Sequence, residues 1–136
     1  MYCLRTINPV PHQEVWQDFD AIIREALCKI LGVSLIQQQW IQATLPIAVG
    51  GLGLRGASDH CFAAYITSLL SSQDLKQQIL DKSEEECPPT ITAEMLERLQ
   101  ATTGREDSIR SLQGLTQKEV SLSIDLKNLH DFSTSI

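Results

Sequence analysis

The sequence is poor in the residues that usually build a chemical site. Its 136 residues hold three histidines and four cysteines. No Cys-x-x-Cys and no His-x-x-x-His occurs, so the common zinc spacings are missing. No two aspartates are adjacent, and no Gly-Lys-Ser/Thr follows a glycine loop, which excludes a phosphate-binding loop. Basic residues are outnumbered, 11 against 17 acidic, for a net charge of -6. A stand-alone nucleic-acid module is normally basic, so the balance argues against one while leaving room for a local basic patch. The uncharged apolar run between His60 and Asp74 carries Thr67, Ser68, Ser71 and Ser72 and is too short and polar to span a bilayer. The N-terminal stretch MYCLRTINPVPHQE has no long apolar core. These absences predict an intracellular chain, cytoplasmic or nuclear, with Cys3, Cys28, Cys61 and Cys87 as reduced thiols.

What is present is helical periodicity. The length suits one domain, and a hydrophobic fraction of 43% suits a globular one. Over HQEVWQDFDAIIREALCKILG, Val15, Trp16, Phe19, Ile22, Ile23, Ala26, Leu27, Ile30 and Leu31 recur at three- and four-residue steps, the mark of an amphipathic helix. Asp20–Arg24 and Glu25–Lys29 are acid-before-base pairs at i,i+4, and Gly32 suits the residue past the helix end. Ser34 and Gln37 form a capping-box pattern for a short helix anchored by Leu35, Trp40, Ile41 and Leu45 and stopped by Pro46. Ser58 is the predicted cap of the apolar helix DHCFAAYITSLLSS. A separate short helix, DLKQQILDK, is expected to turn Leu75, Ile79 and Leu80 inward. Residues 82–91 read as a loop, and Thr92 caps a helix that buries Met95, Leu96 and Leu99 and ends at Gly104. DSIRSLQG adds a turn or two. Thr116 and Glu119 make a capping box for a last helix, although the alternation of Val120, Leu122, Ile124 and Leu126 also fits a strand. The composite is all-α, an irregular bundle of about five to seven helices around a glycine-rich turn at 50–56.

That turn carries the one chemical pattern. Gly51, Gly53 and Gly56 match G-x-G-x-x-G behind the apolar run LPIAV. A dinucleotide fold also needs alternating parallel strands and an acid on a second strand about 20 residues on. Asp74 lies near that distance but in a helical pattern, and Pro46 interrupts the single candidate strand. The glycines therefore read as a turn that lets a loop cross close to a helix. Cys28 and Cys61 sit in apolar helical patterns, as small buried hydrophobes do. His60 and Cys61 are adjacent and diverge on a helix; His12 and His130 are expected at the surface. The acidic runs SEEEC and EDS suit solvated faces. No catalytic residue, metal site or cofactor is expected.

Several segments resemble one family. YCLRTI (Tyr2–Ile7), FDAIIREALCKILGV (Phe19–Val33) and WIQATLPIAVGGLGLRGASDHCFAAYITSL (Trp40–Leu69) are similar to the region after the polymerase domain of non-LTR-retrotransposon reverse transcriptases. LTQKEVSLSIDLKNL (Leu115–Leu129) resembles a more weakly patterned segment near the end of that region. Gly-Gly-Leu-Gly-Leu-Arg behind Leu-Pro is the most specific part. The resemblance implies a helical thumb-like core over 1–72 and a helical extension over 73–136, placed beside a template–primer duplex. The family's Tyr/Phe-x-Asp-Asp motif is missing, so the resemblance implies a fragment or degenerate copy with no polymerase activity of its own.

Two functions follow as expectations. In one, the chain is the thumb-like region and grips nucleic acid through Arg5, Arg24, Lys29 and Arg55, with Arg55 leading because the amides of the glycine block stand beside it. An ion pair with Asp59 or a helix C-terminal cap is the structural alternative for Arg55. In the other, the chain is a helical protein-interaction module or inert remnant that binds a protein through exposed apolar helix faces.

Overall fold

The computed structural model describes residues 2–80, 91–104 and 116–134. Among them are six α-helices and no strand, so the all-α bundle is the observed fold. They are α1 (Tyr2–Thr6), α2 (Gln13–Leu31), α3 (Gln37–Thr44), α4 (Ala57–Leu80), α5 (Ala93–Thr103) and α6 (Gln117–Thr134). Single 3-10 turns lie at Val10–His12 and Ile47–Val49. The predicted turn at DSIRSLQG and most of the 82–91 loop lie outside the described residues.

The bundle is built around α4. Helices α1, α2, α5 and α6 all pack on it, and α6 also meets α3 and α5. The reason is side-chain size. Ala57, Cys61, Ala63 and Ala64 bury small side chains and let neighbouring backbones approach, while Phe62 and Ile66 fill the core with Leu4, Met95, Leu99, Val120 and Ile124. The helix runs 24 residues without a break, so the two helices expected at 58–72 and 74–82 are one up to Leu80. Ser71 and Ser72 do not interrupt it, because their hydroxyls donate back to the carbonyls of Ser68 and Leu69. The division between 72 and 73 thus falls inside α4. Beyond it Leu75 and Ile79 face outward, contrary to the inward expectation.

Caps explain most element ends. Thr92 Oγ1 accepts the Met95 amide at 3.3 Å, and Gly104 closes α5 in the left-handed region with φ 68°. Thr116 and Glu119 form the expected reciprocal box. Gly32 ends α2 with φ 69°. At α3 the expectation is off by two residues: the helix begins at Gln37, and Gln39 rather than Gln37 reaches back, to the Ile36 amide at 3.1 Å. The last element is a helix, not a strand. Val120, Ser121, Ile124 and Asp125 are its buried residues, a helical repeat that leaves Leu122 and Leu126 exposed.

Candidate protein and nucleic-acid interface

The glycine block is a backbone joint. After α3, Leu45 is buried and the chain turns back over it. Ala43 O accepts the amides of both Leu52 and Leu54 at 3.2 Å, and Leu45 O accepts the Gly53 amide at 2.8 Å. Gly51 lies so close to Leu45 that a Cβ there would sit 2.0 Å from its carbonyl oxygen, which no side chain tolerates. Gly50 (φ 90°) and Gly53 (φ 72°) adopt the left-handed backbone that makes the reversal. Every amide from Gly50 to Arg55 donates to a main-chain carbonyl. The expectation that these amides stand ready for a phosphate is therefore corrected: the reversal itself consumes them.

Arg55 leaves this joint and crosses to α6. Its Nη2 donates to Asp125 Oδ2 at 3.1 Å, so its acidic partner is Asp125 and not Asp59. The Arg55 side chain is 44% exposed, whereas Asp125 is buried. Burial raises the Asp125 carboxyl above the usual range, and the Arg55 guanidinium pulls it back. His60 lies behind them, with Nε2 3.8 Å from Asp125 Oδ1, too long for a hydrogen bond. Burial, with the nearby Arg55 charge, pushes its imidazole down to about 4, so it is neutral at physiological pH. His60 Nδ1 and Trp16 Nε1 are buried without a hydrogen-bond partner among the described residues. Burial also pushes the Cys61 thiol up to about 11, which leaves it protonated and unreactive.

The other predicted cations are dispersed. Arg24 turns off α2 toward α3, donating to Leu35 O at 2.6 Å and Gln37 Oε1 at 2.9 Å, with its guanidinium 5.9 Å from the Trp40 ring centre. Its expected helix partner, Asp20, does different work. Asp20 accepts the Ala57 amide at 2.7 Å and the Ser58 amide at 3.0 Å, capping α4 from α2. Ser58 is thus not the cap; its hydroxyl donates to Asp20 as well. Lys29 pairs with Glu25 at 2.8 Å as expected. Arg5 is exposed on the last turn of α1. Arg55, but not Arg5, lines a hollow of about 490 Å³ with Cys3 and Leu4 of α1, Trp16, Phe19 and His60. Arg24, Lys29 and Arg55 each engage a different part of the chain.

The feature that the sequence did not disclose is on α2. This helix has no buried residue. Trp16, Ile23 and Leu27 are half-buried toward the bundle, but Val15, Phe19, Ile22 and Ile30 are exposed, Ile22 at 63% and Ile30 at 81%. At 100° per residue these four lie within one quarter of the helix circumference. The apolar face is wider than the part that the bundle covers. Among the described residues no group of three or more His, Cys, Asp or Glu side chains could hold a metal ion, and no helix is long and apolar enough to cross a membrane. No protein-family model matches the chain, and no curated protein or solved structure does either.

Proposed function

We propose that this chain is a non-catalytic, thumb-like helical region of a reverse-transcriptase-like protein, and that it works by docking against protein through α2. The resemblance of the Leu-Pro…Gly-Gly-Leu-Gly-Leu-Arg block supports the first part. One observation carries the second: the most amphipathic helix among the described residues buries none of its side chains and leaves Val15, Phe19, Ile22 and Ile30 in water. An aligned apolar row of this kind on a rigid helix is the usual form of a protein-binding face.

The test begins with the transcript upstream of Met1. An in-frame segment ending in Tyr/Phe-x-Asp-Asp supports the family reading; unrelated sequence there removes it. The encoded upstream portion, co-expressed with this chain, is expected to co-sediment with it. Ile22→Asp with Ile30→Asp is expected to abolish that association, and unchanged association would overturn docking through α2.

A second reading, contact with a template–primer duplex, is favoured by the neighbourhood that α1 and Arg55 share. Here a primer–template duplex binds with an affinity that falls steeply between ~50 and ~200 mM salt. Arg5→Ala weakens binding and lowers the salt slope. A flat salt response would remove this reading.

A further inference from the structure

The α2 face has a chemical character that selects its occupant. We infer that it receives an amphipathic helix with a basic flank, one of whose bulky apolar side chains anchors in the hollow between α1, α2 and α4. This rests on the docking reading above and narrows it to a partner class.

The stripe formed by Val15, Phe19, Ile22 and Ile30 has two unlike borders. On one side it meets the half-buried Trp16, Ile23 and Leu27 and the body of the bundle. On the other, helical geometry places Glu14, Asp18, Glu25 and Lys29 in a row, all exposed: three acids against one base, a net of -2. Lys29 is held by Glu25 at 2.8 Å. That pair neutralises itself and leaves Glu14 and Asp18 to set the sign. A helix lying on the stripe with lysines or arginines along that border meets them; one with acids there is repelled. The net charge of -6 draws the same partner at longer range.

Shape adds the anchor. Phe19 belongs both to the stripe and to the wall of the hollow of about 490 Å³, which Trp16, Leu4 and Ala57 also line. That volume admits a leucine, phenylalanine or tryptophan side chain with room to adjust. Seated there, the side chain meets Leu4, Trp16, Phe19 and Ala57, with Arg55 and His60 completing the wall, next to the row of exposed residues. Binding energy then concentrates at one pocket, while the flank charges choose the partner. The α2 helix is uninterrupted by proline or glycine over its 19 residues, so the face is presented as a rigid rod.

The experiment uses the full chain and two designed helical peptides of roughly 18 residues, about five turns. They carry the same leucine–tryptophan stripe, one with lysine flanks and the other with glutamate flanks. Fluorescence anisotropy is expected to show the lysine peptide binding about ten-fold tighter, the sum of a few surface charge pairs. That preference shrinks as salt rises from ~50 to ~300 mM. Glu14→Lys with Asp18→Lys reverses the order of the two peptides, at exposed positions that carry no part of the core. Phe19→Asp abolishes binding of both. Equal binding of the two peptides, or binding of neither, overturns the inference. So does self-association of the chain through this face that outcompetes both peptides, because a second copy would then be the occupant. If the co-sedimenting upstream portion is still lost from Ile22→Asp/Ile30→Asp while the peptides are not discriminated, only the basic-helix specificity falls. If both experiments fail, docking through α2 falls with it.

Discussion

Gly51 and Gly53 are two glycines of one motif held for different reasons. At Gly51 the neighbour is backbone: a Cβ would fall 2.0 Å from Leu45 O and 2.4 Å from its carbonyl carbon. At Gly53 space exists, with Ile47 side-chain atoms at 3.6 Å, and the objection is the φ of 72°. Gly51→Ala is therefore expected to cost roughly 3 kcal/mol, since the joint itself must shift. Gly53→Ala is expected to cost about 1–2 kcal/mol, the strain of a left-handed alanine. Urea denaturation of the two variants would show the difference, and equal costs would refute the close approach at Leu45. His60 supplies a second residue-scale prediction. Its imidazole is held down to about 4 in the fold, below the ordinary 6.5. The unfolded chain therefore takes up the proton first, and stability is full above pH 6.5 and is lost as pH falls toward 4. The span corresponds to about 3 kcal/mol. The raised carboxyls of Asp59 and Asp125 act with the opposite sign, favouring the fold at lower pH, and blunt the loss. A His60→Gln variant should show a flatter dependence of the denaturation midpoint between pH 6.5 and 4.5; an unaltered slope would assign the acid sensitivity to another group.

At the scale of elements, helices are bounded by groups that lie both near and far in the chain. The caps of α5 and α6 come from Thr92 and Thr116, each next to the helix that it starts. The cap of α4 comes from Asp20, in the middle of another helix. One carboxylate thus ties the start of the central helix to α2, and it sits where the positive end of the α4 dipole favours a negative charge. Asp20→Ala is expected to lower stability by roughly 2 kcal/mol. Ser34→Ala, at the cap position that the sequence pattern suggests for α3, is expected to change it by less than about 0.5 kcal/mol. Equal effects in thermal or urea denaturation would contradict the observed capping. Asp20 has no sequence signal for this role, because its i,i+4 spacing to Arg24 points to a helix ion pair and the partner amides lie 37 and 38 residues away. Arg24, released from that pair, ties α2 to α3 through Leu35 O and Gln37.

Across the whole molecule, the bundle covers α4 and leaves α2 half-covered. That arrangement predicts how the isolated chain behaves. Ile22→Lys with Ile30→Lys removes apolar surface that the fold does not use, so the free energy of unfolding should stay within about 0.5 kcal/mol of the parent. Light scattering at high concentration should fall, because the exposed row is then interrupted by charge. A large loss of stability would mean that the face is packed within the chain. The dispersal of Arg5, Arg24, Lys29 and Arg55 is also a property of the whole. Three of them hold parts of the chain together: α2 to α3, one turn of α2 to the next, and the glycine joint to α6.

The local code of the chain was enough to establish the all-α class, the ends of α2 and α5, the capping box of α6 and the turn nature of the glycine block. Each of these depends on residues a few positions apart, where propensity, periodicity and backbone hydrogen bonding act without help. Sequence alone left α6 between helix and strand, and broke α4 in two at a pair of serines that the helix absorbs. It also overstated the buried face of α2, because periodicity shows which side chains share a face but not how much of that face a neighbour covers. Only the tertiary structure decided that Asp125 takes Arg55, that Asp20 caps α4, and that the amides of the glycine joint are spent on Ala43 and Leu45. Those pairings join groups far apart in the chain, and their energy exists only once the helices have packed.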